Sequence, residues 1–285
     1  MPGIFGFARV IEYKSDAQIL AMRKAGLVVA AIHAALRDNV RAGMTTADLD
    51  AIALEVLKAH DATSNFYGYY DYPGQICTSV NDVVVHGIPG PLQLQPGDLV
   101  SMDCGAVLDG WHGDAAISVV LPGGDQQVRA ARERLNDITR GSMWAGIAAM
   151  ATGKRVSDIG NAIDDYVTSV GEGNAPDILL DYVGHGIGTS MHQDPDVLNY
   201  RTTGRSPKLK RGMVLCIEPM LAAGDQATSV DDDEWTVRTK DGSDACHWEH
   251  MVAKHKSGIW VLTAPDGGVE GLAPFGVTPV PLEAA

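Results

Sequence analysis

The chain of 285 residues is 45% hydrophobic and 20% charged, which is typical of a globular protein with an ample core, in one large domain or two small ones. Its formal net charge of -14 at pH 7, without any long basic run, excludes the cationic face that stable nucleic-acid binding needs. No apolar run approaches the length of a membrane span, and the first nine residues lack the basic and apolar segments of a signal peptide, so we expect no membrane partner and a cytoplasmic location.

The first predicted elements are two helices. Ser15 and Gln18 form a capping-box pattern ahead of an apolar stripe, which predicts a long helix that ends near Gly43. A second helix is predicted to begin after Thr45.

A second helix pair repeats the first. One helix is predicted from about Gln126 towards Met150, ended by Gly153, and the next is predicted to be capped by Ser157. The repeat predicts two related halves, at about 15–125 and 126–263, within one domain at 1–263. The remaining residues, 264–285, are rich in Pro and Gly and are expected to form a loosely attached tail.

Strand-like runs follow each helix pair. They lie at residues 74–79, 82–85, 98–103, 115–121, 213–217, 235–239 and 258–262. Helix pairs followed by runs of strands predict the α+β class, with the helices packed on a mostly antiparallel sheet.

A repeated motif ends in a carboxylate. Residues 94–103 read L-x-x-G-x-L-x-x-M-D, and residues 209–218 read L-x-x-G-x-V-x-x-I-E. A His-Gly-Ile segment precedes each block and a second carboxylate follows it. Each half therefore carries one histidine and two carboxylates in the same order: His86, Asp103 and Asp114 in the first half, His185, Glu218 and Glu249 in the second.

These carboxylates predict a metal site. A hairpin around Asp109-Gly110 would place the two aspartates on one face of neighbouring strands. If a pseudo-two-fold axis relates the halves, all four carboxylates meet at that axis, and they cannot all stay ionised without a cation. Taken singly, each such residue is more often a turn, a cap or an ordinary polar group. Metal ligation is favoured here because the same residue types recur in the same order in both halves. Four carboxylates and one imidazole form a nitrogen and oxygen site that suits a pair of Mn, Fe, Co or Zn ions.

Four motifs together resemble a known family. They are residues 72–89 (Tyr-Pro-x3-Cys-x-Ser-x-Asn-x4-His-Gly-Ile-Pro), 110–114 (Gly-Trp-His-Gly-Asp), 182–200 (Tyr-x-Gly-His-Gly-Ile-Gly-x3-His-x4-Val-x-Asn-Tyr) and 217–220 (Ile-Glu-Pro-Met). In kind, order and spacing they are similar to the signatures of type I methionine aminopeptidases, over roughly residues 15–263. The resemblance implies the pita-bread fold, a catalytic domain with two divalent metal ions, and removal of the initiator methionine when the second residue is small.

The resemblance also implies ligand roles. Asp103 would bind one metal, His185 and Glu218 would bind the other, and Asp114 and Glu249 would bridge both. The nucleophile would be a water or hydroxide between the metals, whose pKa the two cations lower.

Other residues are implied to handle the substrate. Glu218 would shuttle the proton, while His86 and His192 would hold the peptide and steady the tetrahedral intermediate. For His86, the alternative is a structural role in its turn. An apolar pocket suited to a thioether would be lined by Tyr69, Tyr72, Cys77 and Trp235, although Tyr69 also fits an ordinary core position.

The chain departs from the family pattern near this pocket. Met191 stands where Phe is frequent, His247 stands where Gln is usual, and the loop from Asp71 to Gln75 differs. The cysteines form no CxxC pair, and apart from Cys77 we expect them to be small buried hydrophobic residues.

Two alternatives stay open. One is an Xaa-Pro aminopeptidase or prolidase of the same fold; these usually carry a sizeable extra domain before the first metal aspartate, whereas 102 residues precede Asp103 here. The other is a non-catalytic binding homologue, a class that loses ligands, whereas all five ligand positions are kept. The expected partners are nascent polypeptide N-termini, with transient ribosome contact, and the expected form is a monomer.

Overall fold

Helices and short antiparallel strands alternate along the chain, which a computed structural model describes at residues 10–171 and 173–283. Residues 1–9, from which the absence of a signal peptide was predicted, lie outside the described residues. The elements are α1 (Asp16–Asn39), α2 (Thr46–Ala59), β1 (Thr63–Ser64), β2 (Ile76–Val80), β3 (Val83–Val85), β4 (Leu99–Leu108), β5 (Trp111–Val120), α3 (Gln126–Thr152), α4 (Ser157–Gly171), β6 (Asp177–Ile178), β7 (Gly184–Gly186), β8 (Gln193–Val197), β9 (Val214–Ile217), β10 (Met220–Ala222), β11 (Thr228–Val230), β12 (Val237–Thr239), β13 (Ala245–His247), β14 (His250–Lys254), β15 (Ile259–Val261) and α5 (Val269–Leu272).

Local capping defines where the helices start. Ser15 and Thr45 each accept a hydrogen bond from the third residue of the following helix, whose side chain bonds back, so both predicted starts are confirmed. α1 ends at Asn39 rather than near Gly43, because Val40 turns into an extended conformation. The prediction that Ser157 caps α4 was wrong, since the helix already begins at Ser157.

The strands form four sheets in the described part of the chain. Their orders are β1-β4-β2 with β5 also paired to β4, then β13-β10-β6, β11-β12-β3 and β15-β14-β9-β7-β8. Every one of these pairings is antiparallel. The α1 helix packs on β4 and β5, and α3 packs beside α4, β13 and β14, so the predicted α+β class with helices on antiparallel sheets is confirmed.

The apolar character of α1 has a packing explanation. By length and composition, α1 is apolar enough to cross a membrane, so the expectation that no stretch approaches this length was wrong. However, 56% of its most apolar window is buried inside the fold, where Val29, Ile32 and Leu36 are fully covered. Burying an aliphatic side chain of this kind is worth about 1.5–3 kcal/mol, so core packing accounts for the composition.

The segment after residue 263 is not loosely attached, and that expectation was wrong. The Arg23 guanidinium donates to the backbone oxygens of Leu262 (2.6 Å) and Ala264 (2.7 Å). Leu272 is fully buried in the main core, and the Val280 N–H donates to the Ile259 carbonyl at 3.0 Å. A few buried apolar side chains are enough to attach a segment that is rich in Pro and Gly.

One glycine lets α1 approach β5 closely. A Cβ built on Gly113 would lie 2.8 Å from the backbone carbon of Ala25 and 2.8 Å from the nitrogen of Gly26. Helix and strand therefore touch backbone to backbone, one residue before Asp114.

We predict that Gly113→Ala lowers the free energy of unfolding by about 1–3 kcal/mol, because the helix must move to admit the methyl group. Gly90→Ala is the matched control, since the nearest atom to its added Cβ is 3.9 Å away. Denaturant unfolding of both variants makes the comparison, and equal stability of the two would contradict a tight contact between helix and strand.

Candidate metal centre and substrate pocket

A β-hairpin presents the two aspartates. β4 and β5 pair over their whole length, with Asp103 opposite Ala116 and Gly105 opposite Asp114. Alternate residues of a strand share a face, so both carboxylates project to the same side. The hairpin turns at Asp109 and Gly110, whose φ angles are 51° and 78°, as the Asp-Gly pattern predicted.

The second half brings its glutamates to the same place. β9 and β14 pair with His250 opposite Ile217, so the residues just beyond these two, Glu218 and Glu249, are neighbours. Glu249 also exchanges backbone hydrogen bonds with Ala116 of β5, at 3.0 and 3.3 Å. This contact joins the two halves two residues from Asp114.

Glycines admit the imidazole of His185. A Cβ on Gly184 would lie 2.3 Å from the Cys216 oxygen, and one on Gly186 would lie 2.2 Å from the Asp194 oxygen, so only glycine lets β7 run this close to its neighbours. The His185 Nδ1 is 2.9 Å from the Gly186 carbonyl oxygen, to which it donates when protonated. The other nitrogen, Nε2, then carries a lone pair 3.2 Å from Oε1 of Glu218, an arrangement typical of a metal-binding histidine.

The pKa values of the four carboxylates are all raised. Burial, together with the charges of the other carboxylates, raises the pKa of Asp114, Glu218 and Glu249 well above its ordinary range. Burial raises the pKa of Asp103 to about 6. Protein atoms alone therefore do not compensate four negative charges here.

Unpartnered buried atoms test the fit of a metal. Among the described residues, one oxygen of each carboxylate is buried without a hydrogen-bond partner: Asp103 Oδ1, Asp114 Oδ1, Glu218 Oε1 and Glu249 Oε1. Ligand atoms of Asp114, His185, Cys216 and Glu249 lie within 4.8 Å of one another. Burial raises the pKa of the Cys216 thiol well above its ordinary value, which disfavours the thiolate, so the donors fit hard or borderline divalent cations.

Two further histidines border the cavity. His86 has φ 60°, a conformation rare for a residue with a side chain, and burial lowers its pKa to about 4, so its ring is neutral at pH 7. The His192 ring lies 4.4 Å from that of His185, centre to centre. The Tyr69 hydroxyl is 3.1 Å from Nδ1 of His192.

An apolar pocket adjoins the carboxylates. The cavity holds about 390 Å³, and its lining includes all eleven residues singled out from the sequence. Its apolar wall comprises Phe66, Tyr72, Cys77 and Met191, with Tyr69, Ile88 and Trp235 packed against them. The Tyr72 and Trp235 rings meet edge to face at 5.0 Å between centroids.

Sequence reasoning missed several supporting residues. Asn65 donates to the Gly113 carbonyl oxygen at 2.9 Å and its amide oxygen lies 2.9 Å from Nδ1 of His112, bracing the strand that carries Asp114. Asn199, fully buried, donates to the backbone oxygen of Glu218 at 3.1 Å. Nothing in the sequence indicated that Phe66 lines the pocket, because a single Phe in a loop is most simply interpreted as an ordinary core residue. All four cysteines are free and buried.

The comparisons with known proteins agree with this geometry. Residues 20–255 match metallopeptidase family M24. The fold and the site thus define a metallopeptidase of that family, one that binds divalent metal. Methionine aminopeptidase 1 of Mycobacterium tuberculosis is 48% identical over 258 residues, covering 90% of this chain and 96% of the relative.

Solved structures give the same result. The crystal structure of methionine aminopeptidase from Rickettsia prowazekii matches with a TM-score of 0.83 and 34% identity, over 90% of this chain and 100% of that one. The chain therefore belongs to the methionine aminopeptidases, hydrolases of the pita-bread fold. The prolidase of Pyrococcus furiosus matches with a TM-score of 0.65 and 18% identity, over 88% of this chain and 65% of that one, a likeness that shows the fold alone.

We predict that chelator-treated protein loses stability as the pH rises from about 7 to 8. The raised pKa values of Asp114, Glu218 and Glu249 mean that the native state binds more protons than the unfolded chain, so deprotonation with rising pH favours unfolding. Seven histidines whose pKa is lowered from 6.5 act in the opposite direction, because the unfolded chain binds their protons, and this effect fades as the pH rises above about 7. Lys14, whose burial lowers its pKa to about 8, opposes the trend at the upper end of the window, where the native state begins to lose that proton.

Asp114→Asn isolates this effect, because the amide cannot ionise. In chelator at pH 8 we expect the variant to exceed the unaltered protein in free energy of unfolding by at least about 1 kcal/mol, with a shallower pH slope. The control is Asp109→Asn, a change at an exposed position in the same hairpin. Parallel slopes for all three proteins would show that the carboxylates are not electrostatically stressed.

Proposed function

We propose that the protein removes the N-terminal methionine from newly made proteins and peptides whose second residue is small. The observation that carries this proposal is a cluster of four carboxylates with unpartnered buried oxygens beside an apolar pocket. The relatives named methionine aminopeptidase support the same conclusion.

The proposed metal ligands are the residues that the family resemblance implies. We propose two divalent ions, one held by Asp103, the other by His185 and Glu218, with Asp114 and Glu249 shared between them. When bound, such ions polarise the scissile carbonyl and lower the pKa of water. Mn, Fe, Co and Zn all accept this donor set.

The residues around the cluster carry out the proton transfers. In this proposal the Glu218 carboxylate accepts a proton from the attacking water and returns it to the leaving amine. His86, neutral because burial lowers its pKa to about 4, and His192 donate N–H groups to the peptide carbonyl as negative charge develops there. The Tyr69 hydroxyl lies 3.1 Å from Nδ1 of His192; in this proposal it donates to that nitrogen, which places the proton of His192 on Nε2.

The pocket explains the choice of methionine. Its wall of Phe66, Tyr72, Cys77 and Met191 offers aromatic and sulfur-bearing surface, which favours an unbranched, polarisable thioether. The Tyr72 hydroxyl donates to the Gly87 carbonyl oxygen at 3.0 Å, so its polar end is satisfied and its ring remains as an apolar wall.

The rival functions have less support. An Xaa-Pro aminopeptidase or prolidase shares the fold, but the relatives with high identity are methionine aminopeptidases. A non-catalytic homologue would not need to retain the cluster of buried, unpartnered carboxylate oxygens. We further propose a single catalytic domain at 1–263, a cytoplasmic monomer, nascent polypeptide N-termini as substrates, and transient ribosome contact through a surface still to be mapped.

Peptide cleavage tests the function. Metal-stripped protein, reconstituted with Mn²⁺ or Co²⁺, is incubated with Met-Ala-Ser and Ala-Pro-Ser, and products are read by mass spectrometry. We expect metal-dependent release of methionine from the first peptide alone, reduced at least about 100-fold by Asp114→Asn, which removes a shared ligand charge, and unchanged in Asp109→Asn. Cleavage of only the second peptide would assign the protein to the proline-specific branch, and cleavage of neither would favour the non-catalytic homologue.

Tyr69→Phe tests the orientation of His192. Losing one neutral hydrogen bond, worth about 1 kcal/mol, should lower kcat/KM roughly 5-fold while metal binding stays unchanged. Tyr67→Phe, at an exposed residue, serves as the control. An unaltered kcat/KM in the first variant would mean that the tyrosine only packs against the pocket.

A further inference from the structure

His247 is a buried histidine that the mechanism above does not use. Its side chain lies at the end of β13 with 2% of the residue exposed. Its backbone N–H faces the Ser101 hydroxyl at 3.3 Å, and its carbonyl oxygen accepts from the Ser118 hydroxyl at 2.7 Å. Both serines belong to the hairpin that carries Asp103 and Asp114, so the backbone of His247 is tied to the strands that carry these carboxylates.

The imidazole lacks a partner for one nitrogen. Nε2 of His247 is buried without a hydrogen-bond partner among the described residues, a state that native proteins largely avoid. It lies 3.7 Å from Oε2 of Glu218, and ligand atoms of Glu218, His247 and Glu249 fall within 4.8 Å of one another. A movement of less than about 1 Å would bring the Glu218 pair to hydrogen-bonding distance.

The two histidines around Glu218 present complementary groups. Oε1 of Glu218 faces Nε2 of His185 at 3.2 Å, and that nitrogen carries a lone pair because the His185 Nδ1–H is directed to the Gly186 carbonyl. His185 therefore cannot donate to the carboxylate. An Nε2–H on His247 supplies a donor on the opposite side of Glu218, at its second oxygen.

We propose that His247 is a positioning residue, which donates Nε2–H to Oε2 of Glu218 and so keeps Oε1 directed at the metal position shared with His185. This inference rests on the metal site of the proposed function. His247 is also a position at which this chain departs from the family pattern, in which glutamine is usual. An imidazole is shorter and stiffer than a glutamine side chain, so the carboxylate has less freedom to rotate away from the metal.

Metal titration tests the proposal without relying on turnover. Metal-stripped His247→Leu and His247→Gln are titrated with Mn²⁺ by calorimetry, next to the unaltered protein and His60→Leu, a change at an exposed histidine. We expect the Leu variant to bind about 10–100-fold more weakly, as for other residues that orient ligands. The Gln variant, which keeps an N–H donor, should stay within about 3-fold of the unaltered protein.

Each other outcome overturns the inference in a distinct way. Binding by the Leu variant equal to that of the unaltered protein would show that His247 does not position Glu218. Equal losses in the Leu and Gln variants would show that the ring nitrogen itself binds metal. Thermal unfolding of the metal-free variants guards against loss of structure, since Leu replaces an unpartnered buried nitrogen and should not lower the unfolding temperature. If the unaltered protein bound no metal, the proposed function would fail as well. The first two outcomes would contradict only the role of His247 and would leave the proposed function intact.

Discussion

The mutual repulsion of four enclosed carboxylates is the constraint on which the rest of the structure depends. Asp114, Glu218 and Glu249 are each less than 9% exposed, and burial raises the pKa of every one of them well above its ordinary value. A cluster of this kind is unfavourable on its own, because desolvation and like charge act in the same direction. A bound divalent metal would offset both the desolvation and the repulsion between like charges. The affinity of the site for metal therefore depends on how strongly the fold forces these carboxylates together.

The fold imposes this stress through a small number of backbone contacts. The β4–β5 hairpin determines the spacing of the aspartates, and the β9–β14 ladder determines that of the glutamates. Mutual hydrogen bonds between Ala116 and Glu249 then join the two pairs. Since strand register cannot slip without exposing the buried face, the positions of the ligands follow from the packing of both halves. Helix α1 packs against β4 and β5, and α3 packs against β5, β9 and β14.

The sequence predicted this framework well, for a physical reason. Backbone elements leave local signals, such as the capping-box pattern at Ser15 and the Asp-Gly turn of the hairpin, and a repeated motif places equivalent residues in equivalent positions. Side-chain partners leave no such signal. The Tyr69–His192 bond, the brace from Asn65 and the neighbourhood of His247 each join residues far apart in the chain, so only the folded geometry reveals them. The roles of the individual site residues remain proposals that rest on this geometry.

The difference between sequence signals and side-chain contacts also explains why the prediction of a loosely attached C-terminal tail was wrong. Composition describes the average behaviour of a segment, whereas attachment depends on single contacts such as buried Leu272 and the carbonyl oxygens that Arg23 binds. Arg23 lies in α1, the helix that also crosses β5 beside Asp114. The contact with the C-terminal segment and the close approach to β5 therefore lie on neighbouring residues of one helix, Arg23 and Gly26. An unfavourable carboxylate cluster can persist in a folded protein when the surrounding structure offsets its cost, and the packing of α1 against β5 and against the C-terminal segment contributes to that offset.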